Sequence, residues 1–274
     1  MRLLKRGKVK DIYLLDDKRL LFDFTDRVSA FDVILPDIIP RKGEILCKFA
    51  AFWFETLNVK NHIIEVVEPN RMIVERLNMI PIECIVRGYL YGSLYERVKK
   101  GEVTVDTDVL AAKLSHPYFD ITTKLEVKDR PMGLSEAFTK GWLTESEASE
   151  LEELSIRIYE KISSRVKKAG FILADLKLEF GKNMEEEILL ADSIGPDEFR
   201  LWSEENYRVG RPQESYDKQL IRDKLLEMGY KRKIEEAVKY GKPIPEPPHL
   251  PRDLIEETAE RYKLAYEMIT GRTL

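Results

Sequence analysis

The strands and helices that this sequence predicts fall in separated runs, and this order constrains the fold more than any other feature. Residues 1–80 contain four strand-like segments: a first pair, VKDIYLL and RLLFDF, which suggests a hairpin, and a second pair of strands, HIIEVVE and RMIVERL. The polar turn Asp16–Lys18 joins the first pair. Between the pairs, apolar residues from Ile45 to Leu57 recur at helical spacing. We therefore predict a small antiparallel sheet with one helix.

Residues 81–274 mix helices with a second sheet. The clearest helix spans Thr144–Ala169, because Thr144 and Glu147 have capping-box spacing and Gly170 ends the apolar stripe. The other predicted elements are a hairpin of FILADLKLEF and EILLADSI, a helix at Asp217–Met228, a Pro-rich break at 241–251 and a helix at Arg252–Ile269. Since strands and helices do not alternate, we favour an α+β fold. We expect one lobe of residues 1–80 and a larger mixed α/β lobe of residues 81–274.

The charge balance argues against a nucleic-acid partner. The 274 residues carry 49 acidic and 45 basic side chains, a formal net charge of −4. Nucleic-acid-binding domains are usually strongly basic or carry a basic stripe. The charged N-terminal residues MRLLKRGKVKD lack the apolar segment of a signal peptide, and no apolar run has the length of a membrane span. We therefore expect a cytoplasmic protein without a membrane or nucleic-acid partner.

Cysteine and histidine are too few and too scattered for a disulfide framework or a zinc site. Cys47 and Cys84 both lie in apolar surroundings, which predicts buried structural thiols. His62, His116 and His249 lack partners at metal-ligand spacing, so we expect them to be structural or exposed.

The stretch LADLKLEFG, residues 173–181, alternates strictly between apolar and charged residues. Period-2 geometry places Asp175, Lys177 and Glu179 on one face of a strand. This pattern is typical of a solvated edge strand or of the floor of a metal–phosphate site. Asp192 ends the apolar run of the returning strand, and Arg200 follows eight residues later. Carboxylates on adjacent strands suit Mg²⁺, and lysine and arginine suit an anion, so the second interpretation gains weight.

Two N-terminal segments are ambiguous by themselves. In RGKVKDIY, Gly7 at a strand turn with Lys8 and Lys10 could cover nucleotide phosphates, although an exposed basic hairpin is the commoner structure. In TDRVSAFD, Ser29 and Asp32 are typical of a ligand-binding loop but equally of a turn.

The segment IPIECIVRGYLYGSLYERV, residues 80–98, places charges within an apolar run. Glu83 and Arg87 are four residues apart, where burial must be compensated. The Gly92–Ser93 step precedes a predicted helix and could hold a phosphate or carboxylate on free backbone amides. An ordinary buried Glu–Arg pair followed by a helix cap is an equally good interpretation.

Taken together, these segments resemble the SAICAR synthetases, the phosphoribosylaminoimidazole-succinocarboxamide synthases of purine biosynthesis. IPIECIVRGYLYGS and LADLKLEFG resemble the two signature motifs of that family. The shorter matches follow in family order from about residue 6 to residue 222: RGKVKDIY, TDRVSAFD, MIPIE, the TTK at Thr122–Lys124, the DRP at Asp129–Pro131, DSIGPDEFRLW and SYDKQ. The length and the DRVSAFDVILPDIIPRKGE segment resemble the longer, fungal-like branch.

The resemblance implies an ATP-dependent ligase that joins L-aspartate to the carboxylate of carboxyaminoimidazole ribotide (CAIR), giving SAICAR, ADP and phosphate. It implies an α+β fold with a kinase-like N-terminal lobe and an ATP site between the lobes. ATP, Mg²⁺, CAIR and L-aspartate are the expected small molecules, and a monomer or a homodimer is the expected assembly.

The resemblance also implies residue roles. Gly7, Lys8, Val9 and Lys10 would cover the ATP phosphates, and the connection containing Arg76, Leu77 and Met79 would receive adenine mainly through backbone groups. Glu179 and Asp192 would bind Mg²⁺. The residues expected around CAIR are Arg87, Gly92, Ser93, Asp175, Lys177 and Arg200; of these, Lys177, Asp175 and Arg200 are the expected catalytic residues, and Ser93 and Arg200 are expected at its phosphate. Ser29, Asp32 and Lys218 are candidates for holding aspartate or closing the site.

Two alternatives remain at this stage. A small-molecule kinase, such as one acting on inositol phosphates, would explain LADLKLEFG and the glycine–lysine turn but leaves RGYLYGS without a role. A nucleotide-binding regulatory protein without turnover is disfavoured, because each candidate catalytic position holds a chemically competent residue.

Overall fold

The computed structural model describes residues 1–124 and 130–274, which form two compact units. The first contains Met1–Ala51, Ile63–Arg76 and Tyr216–Leu274, and the second contains Phe52–His62 and Leu77–Ser215. The expected boundary between the lobes, near residue 80, is thus close to the point after Arg76 where the chain passes from the first unit to the second. The assignment of the C-terminal helices to the second lobe is wrong, since they group with the first unit.

The first unit contains a five-stranded antiparallel sheet in the order β1-β2-β3-β7-β6. Its strands are β1 (Arg2–Arg6), β2 (Lys10–Leu14), β3 (Arg19–Phe24), β6 (Ile63–Val67) and β7 (Arg71–Glu75). The predicted hairpin β2–β3 is confirmed, as are the predicted strands β6 and β7 and the helix α1 (Lys42–Thr56) that precedes them. Strand β1 is exposed along its length and was not predicted from the alternation of apolar residues.

The C-terminal helices join the first unit through an apolar core. The hairpin of β4 (Arg27–Ala30) and β5 (Val33–Ile38) shares this core with α5 (Gln219–Glu227), α6 (Tyr230–Lys239) and the segment before α7 (Arg252–Thr270). The buried residues are Val28, Ala30, Leu35, Ile39, Ile221, Leu225, Tyr230, Ile234 and Leu250. Burial of this apolar surface explains why the C-terminal helices belong to the first unit, although they lie far from it in the sequence.

The second unit is built on a seven-stranded antiparallel sheet. Its strands are β8 (Asn78–Met79), β9 (Ile82–Tyr89), β10 (Lys113–Thr123), β11 (Pro131–Met132), β12 (Phe171–Lys182), β13 (Ile188–Ala191) and β14 (Phe199–Ser203). The main order is β11-β10-β9-β12-β13, and β8 and β14 also pair with β12. The hairpin β12–β13 was predicted, whereas β10 was not. Antiparallel sheets in both units agree with the α+β prediction.

Three helices accompany this sheet: α2 (Gly92–Lys99), α3 (Leu134–Thr139) and α4 (Glu145–Lys168). The predicted capping box of α4 is confirmed: the Thr144 hydroxyl accepts from the Glu147 backbone N–H at 3.2 Å, and the Glu147 carboxylate accepts from Thr144 N–H at 2.8 Å. The predicted apolar stripe of α4 is buried, and α4 contacts β12 and β9. Across the described part of the chain, no helix is long and apolar enough to cross a membrane.

Candidate active site

The charged residues of LADLKLEFG lie on a strand in the interior of the sheet. Residues 175 and 176 of β12 pair with β9 and also with β14, so this part of β12 has a neighbour on both sides. Asp175 and Glu179 are each only 5% exposed. The edge-strand interpretation is therefore wrong. Buried carboxylates need cationic or hydrogen-bonding partners, and neighbouring strands supply them.

One set of partners forms what we call the guanidinium cluster, made of Arg87, Ser93, Asp175 and Arg200. The Asp175 carboxylate lies 2.5 Å from Arg200 Nη1 and 3.5 Å from Arg87 Nη1. The strand register places Asp175 opposite both Arg87 on β9 and Arg200 on β14. Arg87 Nη2 also donates to Ser93 Oγ at 3.1 Å. Burial lowers the pKa of Arg87, and the charge of Asp175 opposes that effect.

Two glycines of RGYLYGS make room for this cluster. A Cβ on Gly92 would lie 2.9 Å from Arg200 Nη2, and Gly92 has a positive φ of 58°. A Cβ on Gly88 would clash with the hydroxyl of Tyr159, which donates to the Leu173 carbonyl at 2.7 Å. The glycines are therefore required by close packing and backbone conformation. The alternative interpretation of the Gly92–Ser93 step as an ordinary helix cap is wrong, because Ser93 is the second residue of α2 and the N-cap, Tyr91, makes no side-chain cap bond.

The second set of partners is the ammonium cluster, made of Glu83, Thr122, Lys177 and Glu179. Lys177 Nζ donates to Glu83 Oε1 at 3.0 Å and to Glu179 Oε1 at 2.7 Å. Thr122 Oγ1 donates to Glu83 Oε2 at 3.0 Å. Burial would lower the pKa of Lys177, but the charges of Glu83, Asp192 and Glu198 outweigh it and raise that pKa, so Lys177 stays protonated. Lys124 Nζ forms an ion pair with Glu179 Oε2.

The structure contradicts the alternative interpretation of Glu83 and Arg87 as a buried ion pair with each other. Both residues lie on strand β9, but Arg87 pairs with Asp175, and Glu83 pairs with Lys177. A four-residue spacing brings side chains together on a helix, whereas on a strand it separates them by roughly 13 Å. Each charge therefore finds its partner on the adjacent strand.

Asp192 follows β13 in an uncommon backbone conformation. Its φ is 62°, in the left-handed region that non-glycine residues rarely occupy. The ring Nε2 of His62, which is buried, lies 3.2 Å from the Asp192 carbonyl oxygen and 130 residues away in sequence. His62 is thus structural, as predicted, and it contacts the residue for which a metal role was expected. Strain of this kind clusters at functional sites.

The carboxylates around Lys177 include oxygen donors of the kind that Mg²⁺ prefers. Glu179 and Asp192 offer carboxylate oxygens, and Ala191, beside Asp192, is the register partner of Glu179. Within residues 1–124 and 130–274, no group of three His, Cys, Asp or Glu side chains has the geometry of a metal site. Two carboxylates completed by nucleotide phosphates and water are a common Mg²⁺ environment, so these residues fit the ion as part of its coordination shell.

In the first unit, the segments RGKVKDIY and TDRVSAFD come together. Thr25 Oγ1 donates to the Val9 carbonyl at 2.9 Å, and Arg27 Nη2 donates to the Gly7 carbonyl at 3.0 Å. Lys8 Nζ reaches Asp32 Oδ1 at 2.5 Å. The residue at position 7 must be glycine because a Cβ there would lie 2.5 Å from the Lys10 carbonyl oxygen. The β1–β2 turn is therefore a fixed loop, held by the neighbouring segment.

The two lysines of this loop have different environments. Lys8 is exposed, whereas Lys10 is 7% exposed and its Nζ lies 4.7 Å from the Phe22 ring centroid and 5.4 Å from that of Phe24. The interpretation as an exposed basic hairpin fails for Lys10. A buried ammonium over two rings is held by cation–π attraction.

The remaining predicted residues are less closely grouped. Ser29 is buried in β4, whereas Asp32, at φ 66° in the β4–β5 turn, is exposed in part. Met79 is 38% exposed and pairs with Gly181, and Leu77 side-chain atoms would meet a Cβ at Gly181. Arg76 donates its N–H to the Lys18 carbonyl, and Lys218 precedes α5. Asp129 of the DRP motif lies outside the described residues.

Several polar residues beside the clusters were not identified as candidates from the sequence. Arg97 on α2 forms an ion pair with buried Asp120 on β10. The charge of Asp120 raises the pKa of Arg87, and the charge of Arg97 lowers it. Asp120 and Thr122 alternate along β10, so recognition of that strand would have revealed them. The charge of Glu198, in the segment before β14, raises the pKa of Lys177. Glu198 lies within the DSIGPDEFRLW match, but no role was assigned to it from the sequence.

Comparison with known proteins agrees with the motif assignment. A family model described as SAICAR synthetase matches residues 3–237. A phosphoribosylaminoimidazole-succinocarboxamide synthase of Nitrosopumilus maritimus is 50% identical over 277 residues, covering 100% of both chains. The solved SAICAR synthase of Saccharomyces cerevisiae, complexed with SAICAR, has a TM-score of 0.83 and 33% identity, covering 99% of this chain and 95% of that one. A SAICAR synthetase in complex with ADP has a TM-score of 0.76 and 29% identity, covering 98% of each chain. The chain belongs to the SAICAR synthetase family.

Proposed function

We propose that the two clusters of the second unit carry out the reaction of this family, the ATP-dependent joining of L-aspartate to the carboxylate of CAIR in purine biosynthesis. The observation that carries the proposal is their arrangement along β12. The guanidinium cluster, with two cations for one carboxylate, directly adjoins the carboxylate-rich ammonium cluster. The first suits a substrate phosphate, and the second suits a metal-bound nucleotide.

The reaction requires activation of a poor electrophile. In the first step the γ-phosphoryl group of ATP moves to a CAIR carboxylate oxygen, and ADP leaves. In the second step the aspartate amine attacks the acyl carbon, so that a C–N bond forms, the C–O bond to phosphate breaks and the amine loses a proton. Phosphoryl transfer depends mainly on alignment and charge neutralisation, which explains why the site contains cations and no obvious nucleophile.

The guanidinium cluster would bind the ribose phosphate of CAIR. Arg200 presents a planar fork that matches phosphate oxygens, and it is held by Asp175 on one side and by Tyr91, whose ring centroid lies 5.7 Å from Cζ, on the other. Ser93 is exposed at the start of α2 and offers a hydroxyl donor. Arg87 is buried behind it and supplies fixed positive charge.

The ammonium cluster would hold the reacting groups. Lys177, kept protonated by its carboxylate neighbours, would neutralise the carboxylate and the transferring phosphoryl oxygens. Glu179 and Asp192 would hold Mg²⁺, which when bound neutralises the nucleotide phosphates. In the first unit, Gly7, Lys8, Val9 and Lys10 would contact the nucleotide phosphates, and Arg76, Leu77 and Met79 would receive adenine. Ser29, Asp32 and Lys218 are the proposed aspartate contacts.

A coupled assay of ADP release tests the proposal. We expect ADP formation that requires CAIR and L-aspartate together, with SAICAR formed in equal amount. ADP release with an inositol phosphate and no amine would overturn the ligase assignment and favour a kinase. Neither the family match nor the relatives described above support that kinase alternative.

A further inference from the structure

Glu83 and Thr122 are polar residues of the matched motifs that are not among the proposed ligand contacts. Glu83 belongs to the MIPIE segment and Thr122 to the TTK segment. They are direct cross-strand partners on β9 and β10, and a 3.0 Å hydrogen bond joins Thr122 Oγ1 to Glu83 Oε2. The other carboxylate oxygen, Oε1, accepts from Lys177 Nζ. Thr122, Glu83 and Lys177 therefore form a continuous chain across three adjacent strands.

We propose that Glu83 is a positioning residue, oriented by Thr122, that fixes the Lys177 ammonium during catalysis. The inference rests on the proposed function, because it assigns Lys177 to the reacting carboxylate and phosphoryl group. It goes beyond that function because it assigns Glu83 of MIPIE and Thr122 of TTK a common role, the positioning of Lys177.

Two carboxylates hold Lys177, and only one of them is a proposed metal ligand. Its ammonium group has two carboxylate partners, Glu83 and Glu179, at 3.0 and 2.7 Å. Glu179 is also the proposed metal ligand, and carboxylate oxygens that bind a cation are weaker partners for an ammonium group. Glu83 is therefore the partner that continues to hold Lys177 when Glu179 binds Mg²⁺. Without Glu83, the flexible lysine would lose its fixed position near the reacting atoms.

Thr122 makes Glu83 suitable for this task. Thr122 is 8% exposed, and its β-branched side chain has few accessible rotamers. Its hydroxyl donates a hydrogen bond to Glu83 Oε2, so that the other oxygen, Oε1, remains directed at Lys177. The arrangement resembles the way a third group orients a catalytic base in other enzymes.

The test separates positioning from binding and from stability. Glu83→Gln keeps the shape of the side chain but removes its charge, and Thr122→Val keeps the volume but removes the donor. We expect kcat to fall about 10-fold or more in Glu83→Gln and by a smaller factor in Thr122→Val, since a charged hydrogen bond is lost or weakened. Thr122→Ser, which retains the hydroxyl, should recover most of the kcat lost in Thr122→Val. The KM for CAIR and the calorimetric Kd for Mg·ADP should stay within about threefold of wild type.

Specific outcomes would overturn the inference. A kcat within twofold of wild type in both folded variants would remove Glu83 from the positioning role. Equal weakening of Mg·ADP binding and of kcat would assign Glu83 to the metal site. Thermal unfolding of each variant identifies a loss that comes from misfolding, and if Glu83→Gln does not fold, the Thr122→Val and Thr122→Ser pair decides. Failure of the proposed function would be distinct, because wild type itself would then form no ADP in the presence of CAIR and L-aspartate.

Discussion

The guanidinium and ammonium clusters occupy neighbouring positions of the same strand, yet they differ in charge and in the kind of cation they use. In the first, a single carboxylate, Asp175, lies between two arginines. In the second, Lys177 lies between Glu83 and Glu179 and within the field of Asp192 and Glu198. One region therefore has unneutralised positive charge, and the other has an excess of carboxylates.

The difference is consistent with the proposed roles, in which the guanidinium cluster binds the substrate phosphate and the ammonium cluster holds the reacting groups. A guanidinium keeps its charge and its planar geometry even when buried, so it suits a phosphate that is bound but does not react. An ammonium group is compact and exchanges partners readily, so it suits a place where a metal ion and a transferring phosphoryl group come and go.

Asp192→Asn should remove most of the activity while leaving the fold intact. Asparagine tolerates the left-handed backbone that Asp192 adopts at φ 62°, so the change removes charge without adding strain. We expect kcat/KM to fall about 100-fold and the affinity for Mg·ADP to weaken, because a proposed metal ligand is lost. Steady-state kinetics and calorimetry measure both quantities.

Chelation gives the matched experiment for the metal. EDTA should abolish ADP release in the wild type, and added Mg²⁺ should restore it. Asp192→Asn should need a higher Mg²⁺ concentration for half-maximal rate. A wild-type Mg²⁺ response in the variant would remove Asp192 from the metal site and break the proposed division of roles between the two clusters.

Arg200→Lys should act chiefly on CAIR. The lysine retains one positive charge but loses the fork that contacts Asp175 and the proposed phosphate together. We expect the KM for CAIR to rise about 10-fold, equivalent to one charged hydrogen bond, with the KM for ATP little changed. Arg19→Lys, in an exposed pair with Asp16, is the matched control and should leave the CAIR response at wild type. An unchanged CAIR response in Arg200→Lys would exclude Arg200 from the site.

Gly92→Ala should show how closely the backbone supports Arg200. The new Cβ would lie 2.9 Å from Arg200 Nη2, at a positive φ. Gly101→Ala is a matched control, since Gly101 has φ 71° and nothing within 4 Å of its Cβ position. Both variants should lose about 1 kcal/mol of unfolding free energy from backbone strain, measured by denaturant titration. Only Gly92→Ala should raise the KM for CAIR, by a few-fold; equal CAIR responses would mean that the close approach to Arg200 has no role.

Much of this site could be predicted because its residues lie on regular elements. The period-2 alternation of β12 predicts that Asp175, Lys177 and Glu179 share a face, and the two ion pairs of Lys177 and Asp175 with β9 are consistent with it. The capping box predicts the start of α4. The assigned roles of these residues stay predictions, since they depend on bound substrates.

The parts that were missed depend on contacts between distant segments. Spacing along the chain suggested a Glu83–Arg87 pair, but the register of β9 against β12 decides the partners. Tyr159 explains Gly88 only once α4 lies on the sheet. The C-terminal helices join the first unit through an apolar core that involves residues about 190 positions apart, which no local pattern reveals.

Lys8→Gln should have the smallest effect, and it extends the comparison from the buried clusters to an exposed ion pair. Both side chains of the Lys8–Asp32 ion pair are exposed, and such pairs contribute only about 0.2–1 kcal/mol to stability. We therefore expect the midpoint of thermal unfolding to change by about 2 °C or less. The KM for ATP should rise a few-fold, because Lys8 is a proposed phosphate contact, while the KM for CAIR stays at wild type. Asp32→Asn breaks the same ion pair and is the matched variant: a rise in the ATP KM in Lys8→Gln alone would assign the effect to phosphate binding, whereas equal rises in both would show that the ion pair itself shapes the loop.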